Sequence, residues 1–240
     1  FSRLSGFYDY SDNNYEVDAT IPSRLGETIP YKAERFHDAY KGQGANVDVG
    51  YTEQSWADLF QVGLYTSEYD KEIQHNVTMS KVYGEATIER KTYGLNLRYK
   101  KQLTDELSLS ATAGASELKS HFSDTTDYFY LWNGERGMEE VPRPGEINEA
   151  CECTYWRNTE YAIAHLGWQL AENHSLDFST SPTKHRQTSK NHYLSKNKPD
   201  PLDAEREMFS LVSGINYTFD FFDNKLQNKL FVKHYSQERE

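Results

Sequence analysis

A chain of 240 residues with a formal net charge of −11 offers no basic surface on which phosphates can be neutralised, which excludes nucleic acid as a partner. Hydrophobic residues make up only 37%, low for a thick buried core, and no apolar run reaches the roughly 18 residues of a membrane-crossing helix. Transmembrane strands need only about 9–11 residues each and stay open, because a polar lumen and wet loops dilute the average hydrophobicity of a barrel.

Aromatic residues reach 14%, with 18 Tyr among them. Tyr combines an apolar ring with a hydroxyl that prefers water, which suits membrane interfaces and sugar-binding surfaces alike. The opening "FSRLSGFYDYS" already reads as a strand with no leader before it, so a processed chain or a piece of a longer one is expected.

Alternation of apolar and polar residues predicts about nine strands, near 4–15, 36–51, 59–74, 90–103, 107–123, 159–171, 175–190, 206–220 and 225–240. After the first run, "DNNYEVD" sets Asp12, Asn14, Glu16 and Asp18 at alternate positions as a calcium loop does. Val17 stands where the sharp turn needs glycine and Ser23 where the closing glutamate belongs, so no calcium is expected. In the second run Val47, Val49 and Tyr51 share a face. Gly42 and Gly44 of "GQGANV" read as small lumen-facing residues or a bend, since no helix follows to hold a phosphate.

The third run gives Phe60, Val62 and Leu64 as its oily set. The fourth gives Tyr93, Leu95, Leu97 and Tyr99, with Asn96, Arg98, Lys100 and Gln102 opposite. Leu107, Leu109, Ala111, Ala113 and Ala115 continue the pattern, then Ala164, Leu166, Trp168 and Leu170. In the eighth run Phe209, Leu211, Ile215, Tyr217 and Phe219 oppose Ser210, Gly214, Asn216 and Thr218. Tyr51, Phe60, Tyr99, Trp168 and Phe219 lie close to short turns, as an interfacial girdle would, although strands favour aromatic residues in any case.

The connections between these runs alternate long and short through eight links. Every short turn therefore falls at one end of the strands and every long loop at the other, the plan of an outer-membrane barrel with short periplasmic turns and long extracellular loops. A soluble sandwich meets the same solvent at both ends and has no reason to keep that rhythm.

The long segment 124–158 is the expected place of ligand contact. It holds Tyr128, Phe129, Tyr130, Trp132, Asn133, Arg136, Arg143, Tyr155 and Trp156, a mixture of rings, amide and guanidinium groups that recognises sugars, aromatic chelates or carboxylates. The same rings can instead pack the loop on itself, and both readings stay open. Candidate ligand-binding residues are Tyr130, Trp132, Asn133, Arg136, Arg143, Tyr155 and Trp156.

Cys151 and Cys153 are the only cysteines. A small disulfide in an extracellular loop or half of a soft-metal site fits them, but a zinc centre usually needs four ligands and none is placed nearby. The basic stretch Lys184 to Lys198 reads as a solvated loop, and His185 and His192 match no helical metal spacing. No nucleophile elbow or similar signature frames the many Ser, His and Asp residues, so no catalytic group, no metal and no cofactor is expected. The sites Asn76, Asn173 and Asn216 of the N-x-S/T pattern carry no message in a bacterial chain.

"GFYDYSDNNYEVD" (6–18), "RFHDAY" (35–40), "SWADLFQVGLYTSEYDKEIQHN" (55–76) and "FFDNKLQNKLFVKHY" (221–235) resemble the barrel region of TonB-dependent outer-membrane receptors, particularly those of Bacteroidetes-type bacteria. The resemblance implies a barrel of about 22 strands around an amino-terminal plug. It also implies uptake of iron chelates, cobalamin or glycans, driven by a TonB-type inner-membrane partner. The chain departs from the family in having no plug, no energy-coupling box and only about nine strands, so residues 1–240 are expected to be one part of the barrel domain.

The sequence thus predicts an all-β fold, a partial antiparallel transmembrane β-barrel in the outer membrane of a Gram-negative bacterium. Its expected partners are outer-membrane lipid, a small-molecule or glycan substrate and TonB acting through the missing plug. The competing readings are a soluble secreted carbohydrate-binding β-sandwich, an outer-membrane barrel enzyme, and a passive porin.

Overall fold

The computed structural model describes residues 1–23, 25–140, 144–194, 200, 202–221 and 226–239. Nine strands form one antiparallel sheet: Ser2–Ser11 (β1), then Tyr40–Gln54 (β4), Ala57–Glu72 (β5), Thr87–Gln102 (β6), Leu107–Asp124 (β7), Cys151–Ala171 (β10), His174–Asn191 (β11), Arg206–Phe221 (β12) and Leu226–Arg239 (β13), in that spatial order. Two hairpins stand apart from it, Glu16–Pro22 (β2) with Thr28–Glu34 (β3), and Tyr128–Tyr130 (β8) with Arg136–Glu140 (β9). Each predicted run falls on a strand of the large sheet, and consecutive strands of that sheet are neighbours throughout.

The register separates the two faces. On one, Val49 pairs with Val62 and Val62 with Leu97, Leu97 with Ala113, Leu166 with Phe178, and Phe178 with Ile215 and on to Val232. Among the described residues nothing covers this oily face: Val49 is 49% exposed, Leu64 57% and Val232 73%. On the other face Asp48 lies opposite Gly63 and Gly63 opposite Asn96, and Asp48 is only 8% exposed. Side chains converge on the inside of a curved sheet, so the polar face is the concave one.

Glycine makes this crowding possible. A Cβ on Gly44 would stand 2.8 Å from the Thr66 carbonyl oxygen and 2.5 Å from the Phe7 ring. Gly42 and Gly44 are thus small residues of the polar face, as expected, and Phe7 lies across Gly44 where a side chain would otherwise be.

The oily face has a limited height. From Leu107 to Ala115 its residues on β7 are apolar, a run of nine positions, within the roughly 9–11 residues of a tilted spanning strand. Beyond Ala115 the same face of β7 turns to Glu117, Lys119 and His121, and on β10 Glu160 already faces Ala115 and Asn158 faces Glu117. Tyr51, Phe60 and Tyr99 fall on one row at the short-turn end. Trp56, in the turn there, packs its ring 5.4 Å from Phe60, and its backbone carbonyl accepts a hydrogen bond from the Tyr99 hydroxyl at 2.9 Å.

Three expectations are corrected. Segment 124–158 is not one irregular loop: it carries β8 and β9, and β10 begins at Cys151, so Tyr155 and Trp156 stand on a strand. The two cysteines likewise lie at the start of β10, joined in a disulfide, and not in a loop. The basic stretch is a strand as far as Asn191, with Lys184 paired to Glu207 at 2.7 Å and Arg186 to Glu205. The shared reason is that strands which rise past the oily band are polar on both faces, so the alternation that reveals a strand disappears.

Candidate ligand-binding cleft at the long-loop end

The buried apolar residues are few among those described, and most of them belong to the long connections. Ala33, Tyr83, Ala86 and Trp132 are buried, although they come from three separate connections. Polar groups hold these connections together.

Arg35, at the end of the β2–β3 hairpin, pairs with Asp38 at 2.6 Å, and Asp38 also receives Lys71 of β5 at 2.6 Å. The Arg35 guanidinium lies 4.9 Å over the Tyr15 ring and 3.0 Å from the His75 Nε2. Arginine can only donate, so this nitrogen accepts, and the His75 Nδ1–H donates to the Asn76 carbonyl at 2.7 Å. The Gln74 side-chain carbonyl accepts from the backbone N–H groups of Phe36 and His37, at 2.6 and 2.9 Å.

A second anchor is made of two carboxylates. Asp124, at the end of β7, accepts from the N–H groups of Glu146 and Ile147 at 2.6 and 2.8 Å. The Glu146 carboxylate accepts from those of Gly84, Glu85 and Ala86 at 2.7, 2.9 and 3.1 Å. Burial pushes the Glu146 carboxyl up from its ordinary value, and the neighbouring Asp124 charge adds to this, against the three N–H bonds that favour the anion.

Between these anchors lies a cleft of about 870 Å³. One wall is the β2 segment Asp18 to Thr20, the second is Thr78 to Tyr83, and the third is Phe129 to Trp132 with Gly145 and Glu146. The Trp132 ring sits 5.7 Å from that of His75. The Tyr130 ring packs against Gly84, where an added Cβ would stand 2.5 Å from it. Burial and the Glu85 carboxylate push the Tyr130 hydroxyl up, while Arg136 acts in the opposite sense. Lys81 is exposed at the rim and has no ion-pair partner among the described residues. Rings, hydroxyls and single charges converging on one concavity are suited to hold a small polar molecule.

The predicted site residues fall in four places. Tyr130 and Trp132 line the cleft. Arg136 stands beside it, donating to Glu85 at 3.1 Å and stacked 4.6 Å over Tyr128, and Asn133 closes the hairpin turn by donating to Glu135. Tyr155 points to the concave face and Trp156 to the opposite one. Arg143 lies outside the described residues. Asp18, Lys81, Tyr83 and Glu146 were not anticipated. The signal available for them was the alternation of links itself, which sends every long connection to the same end.

Neither the protein-family models nor the curated proteins give a match to this chain. Solved structures do. The fold is that of part of a large antiparallel β-barrel. The chain superposes on the copper transporter OprC with a TM-score of 0.57 and 12% identity, over 99% of this chain and 33% of that one. It superposes on BauA, the ferric preacinetobactin receptor from Acinetobacter baumannii, with a TM-score of 0.55 and 11% identity, over 100% of this chain and 40% of that one. The chain thus spans between a third and two fifths of the length of the structures it matches.

Proposed function

We propose that this chain is part of the barrel wall and outer rim of a TonB-dependent type of receptor in a Gram-negative outer membrane. It captures a scarce nutrient, an iron chelate, cobalamin or a glycan, in the cleft at the long-loop end. The nutrient then passes along the concave face, lined by residues such as Asn96, Arg98, Asn216 and Thr218, with energy supplied by a TonB-type partner through a plug outside this chain. The observation that carries this reading is the coincidence of two patterns in one register: a bare oily band of spanning height, and long connections gathered at a single end. The likeness to a metal transporter and a siderophore receptor supports it.

Parity adds a condition. With nine strands in the sheet, the edge strands β1 and β13 run in the same direction. Closure through antiparallel pairs alone then takes an odd number of further strands, giving the even total usual in bacterial barrels. A carbohydrate-binding sandwich needs a second sheet across the oily side, and the described residues place none there.

Deleting the gene in its host tests the function. Growth is expected to fail on one limiting source, among iron chelates, cobalamin and glycans, and to return on complementation. Unchanged growth on all of them overturns the reading.

A further inference from the structure

The concave face differs between its two halves. In the half made by β1, β4, β5 and β6 the buried carboxylate of Asp48 is fully engaged, accepting from Asn46 and Gln61 at 2.8 Å each. In the other half the register brings Arg157 of β10 level with Gln187 of β11 and Arg206 of β12, while His185 lies level with Met208 and Arg239 of β13. All of these face the polar side, close to the long-loop end, and they line one open cleft of about 430 Å³.

Three guanidinium groups share this cleft, and among the described residues no carboxylate pairs with any of them. Arg157 donates only to the Gln187 amide oxygen, at 3.3 and 2.9 Å. Arg239, with the Gln237 amide oriented to accept, donates to that oxygen at 2.6 and 2.8 Å. Arg206 has no side-chain partner among the described residues, and His185 meets only the Thr159 hydroxyl, at 3.0 Å. Three arginines elsewhere are ion-paired, Arg35 with Asp38, Arg136 with Glu85 and Arg186 with Glu205, while Arg90 lies over the Tyr69 ring and donates to the Ser120 hydroxyl and Arg3 is level with Asp48 in the other half. Glu207, which borders the cleft, is turned to the other face and committed to Lys184.

In a chain of net charge −11, carboxylates were abundant enough to neutralise three more arginines. Like charges held together repel, so a cluster left uncompensated makes sense as a site completed by an anion. Below it Lys233 and Lys229 continue along the same face of β13, so the cations extend from the rim toward the short-turn end.

We propose that Arg157, Arg206 and Arg239 form a binding site for a ligand carrying several carboxylate or similar oxyanion groups, and that Lys233 and Lys229 extend it into the lumen. This rests on the receptor reading and narrows the substrate to an anionic chelate or acid, against a neutral glycan. Planar guanidinium groups bind carboxylates bidentately. The rim cleft lined by Trp132 contacts the ligand first, and the arginine cluster selects for charge.

The full chain, folded in detergent and in lipid vesicles, is titrated calorimetrically with citrate, a tricarboxylate, and with maltotriose as a neutral counterpart. Citrate is expected to bind and maltotriose to leave this site unaffected. Arg157→Gln and Arg206→Gln should each weaken citrate about tenfold, rising salt should weaken it further, and Arg186→Gln on the other face should leave it within about twofold. Citrate affinity unchanged in the Arg157→Gln/Arg206→Gln double variant, or no citrate binding by wild-type chain that is inserted and β-structured, overturns the assignment alone. The growth test fails separately: unchanged growth of the deletion strain on every limiting source overturns the receptor reading, and this site's part in uptake with it, whatever citrate does in vitro.

Discussion

The oily band of the sheet and the cluster of long connections are organised by opposite rules. In the band, large apolar residues are exposed and polar ones sheltered, as Val49 and Asp48 show side by side. In the cluster the ordinary arrangement returns, with Ala33, Ala86 and Trp132 inside. The difference tells which solvent each region was selected against. Apolar surface of this extent in water favours association, whereas in hydrocarbon it costs nothing and a charge does.

The largest effect should come from the cluster. Trp132→Ala removes a buried indole and is expected to cost that unit about 3–5 kcal/mol. Protease should then cut between 125 and 150 much faster, while circular dichroism still reports the intact sheet. If cutting is no faster, the connections do not form a packed unit and the contrast with the band disappears.

A charge in the band comes next. Leu97→Arg should destabilise the lipid-inserted chain by about 2–4 kcal/mol, read from urea titrations in vesicles, whereas Lys119→Glu on the same face above the band should stay within about 0.5 kcal/mol. Equal effects from the two would mean that the oily face does not meet hydrocarbon.

The smallest effect sharpens the electrostatics of the cluster. Because burial holds the Glu146 carboxyl above its ordinary value, its contribution to holding the connections is fully present below the unfolded value of about 4.3 and is lost as pH rises through the higher folded one. Glu146→Gln, neutral throughout, should flatten this slope in the pH dependence of protease cutting. A slope identical to the wild type would assign it to other groups.

The nine sheet strands were legible because alternation is a local property. Leu95 and Leu97 announce their face without reference to any other strand, and the short turns then fix which strands meet. The upper part of β10 was not legible. Tyr155 and Trp156 stand on opposite faces with polar neighbours, so nothing in "CECTYW" marks a period of two. The hairpin β8–β9 lacks a period as well, whereas β2–β3 alternates cleanly, with Val17, Ala19 and Ile21 against Ile29, Tyr31 and Ala33, and was missed because its two runs are short and lie inside a long connection.

Of the candidate site, Tyr130 and Trp132 were found because rings concentrated in a long connection are visible to the eye. Glu146 was not, because what makes it matter is the set of N–H groups at Gly84, Glu85 and Ala86, some sixty positions away.

By itself, then, the sequence determined the strands, their two faces and the end at which the connections gather, since each follows from short-range periodicity and the lengths between runs. Only the tertiary structure decided which connections touch, which carboxylates become anchors and which arginines stand together without one. Those outcomes depend on register between strands far apart in the chain, and a shift of one residue would have turned Arg157 and Arg206 to the opposite face.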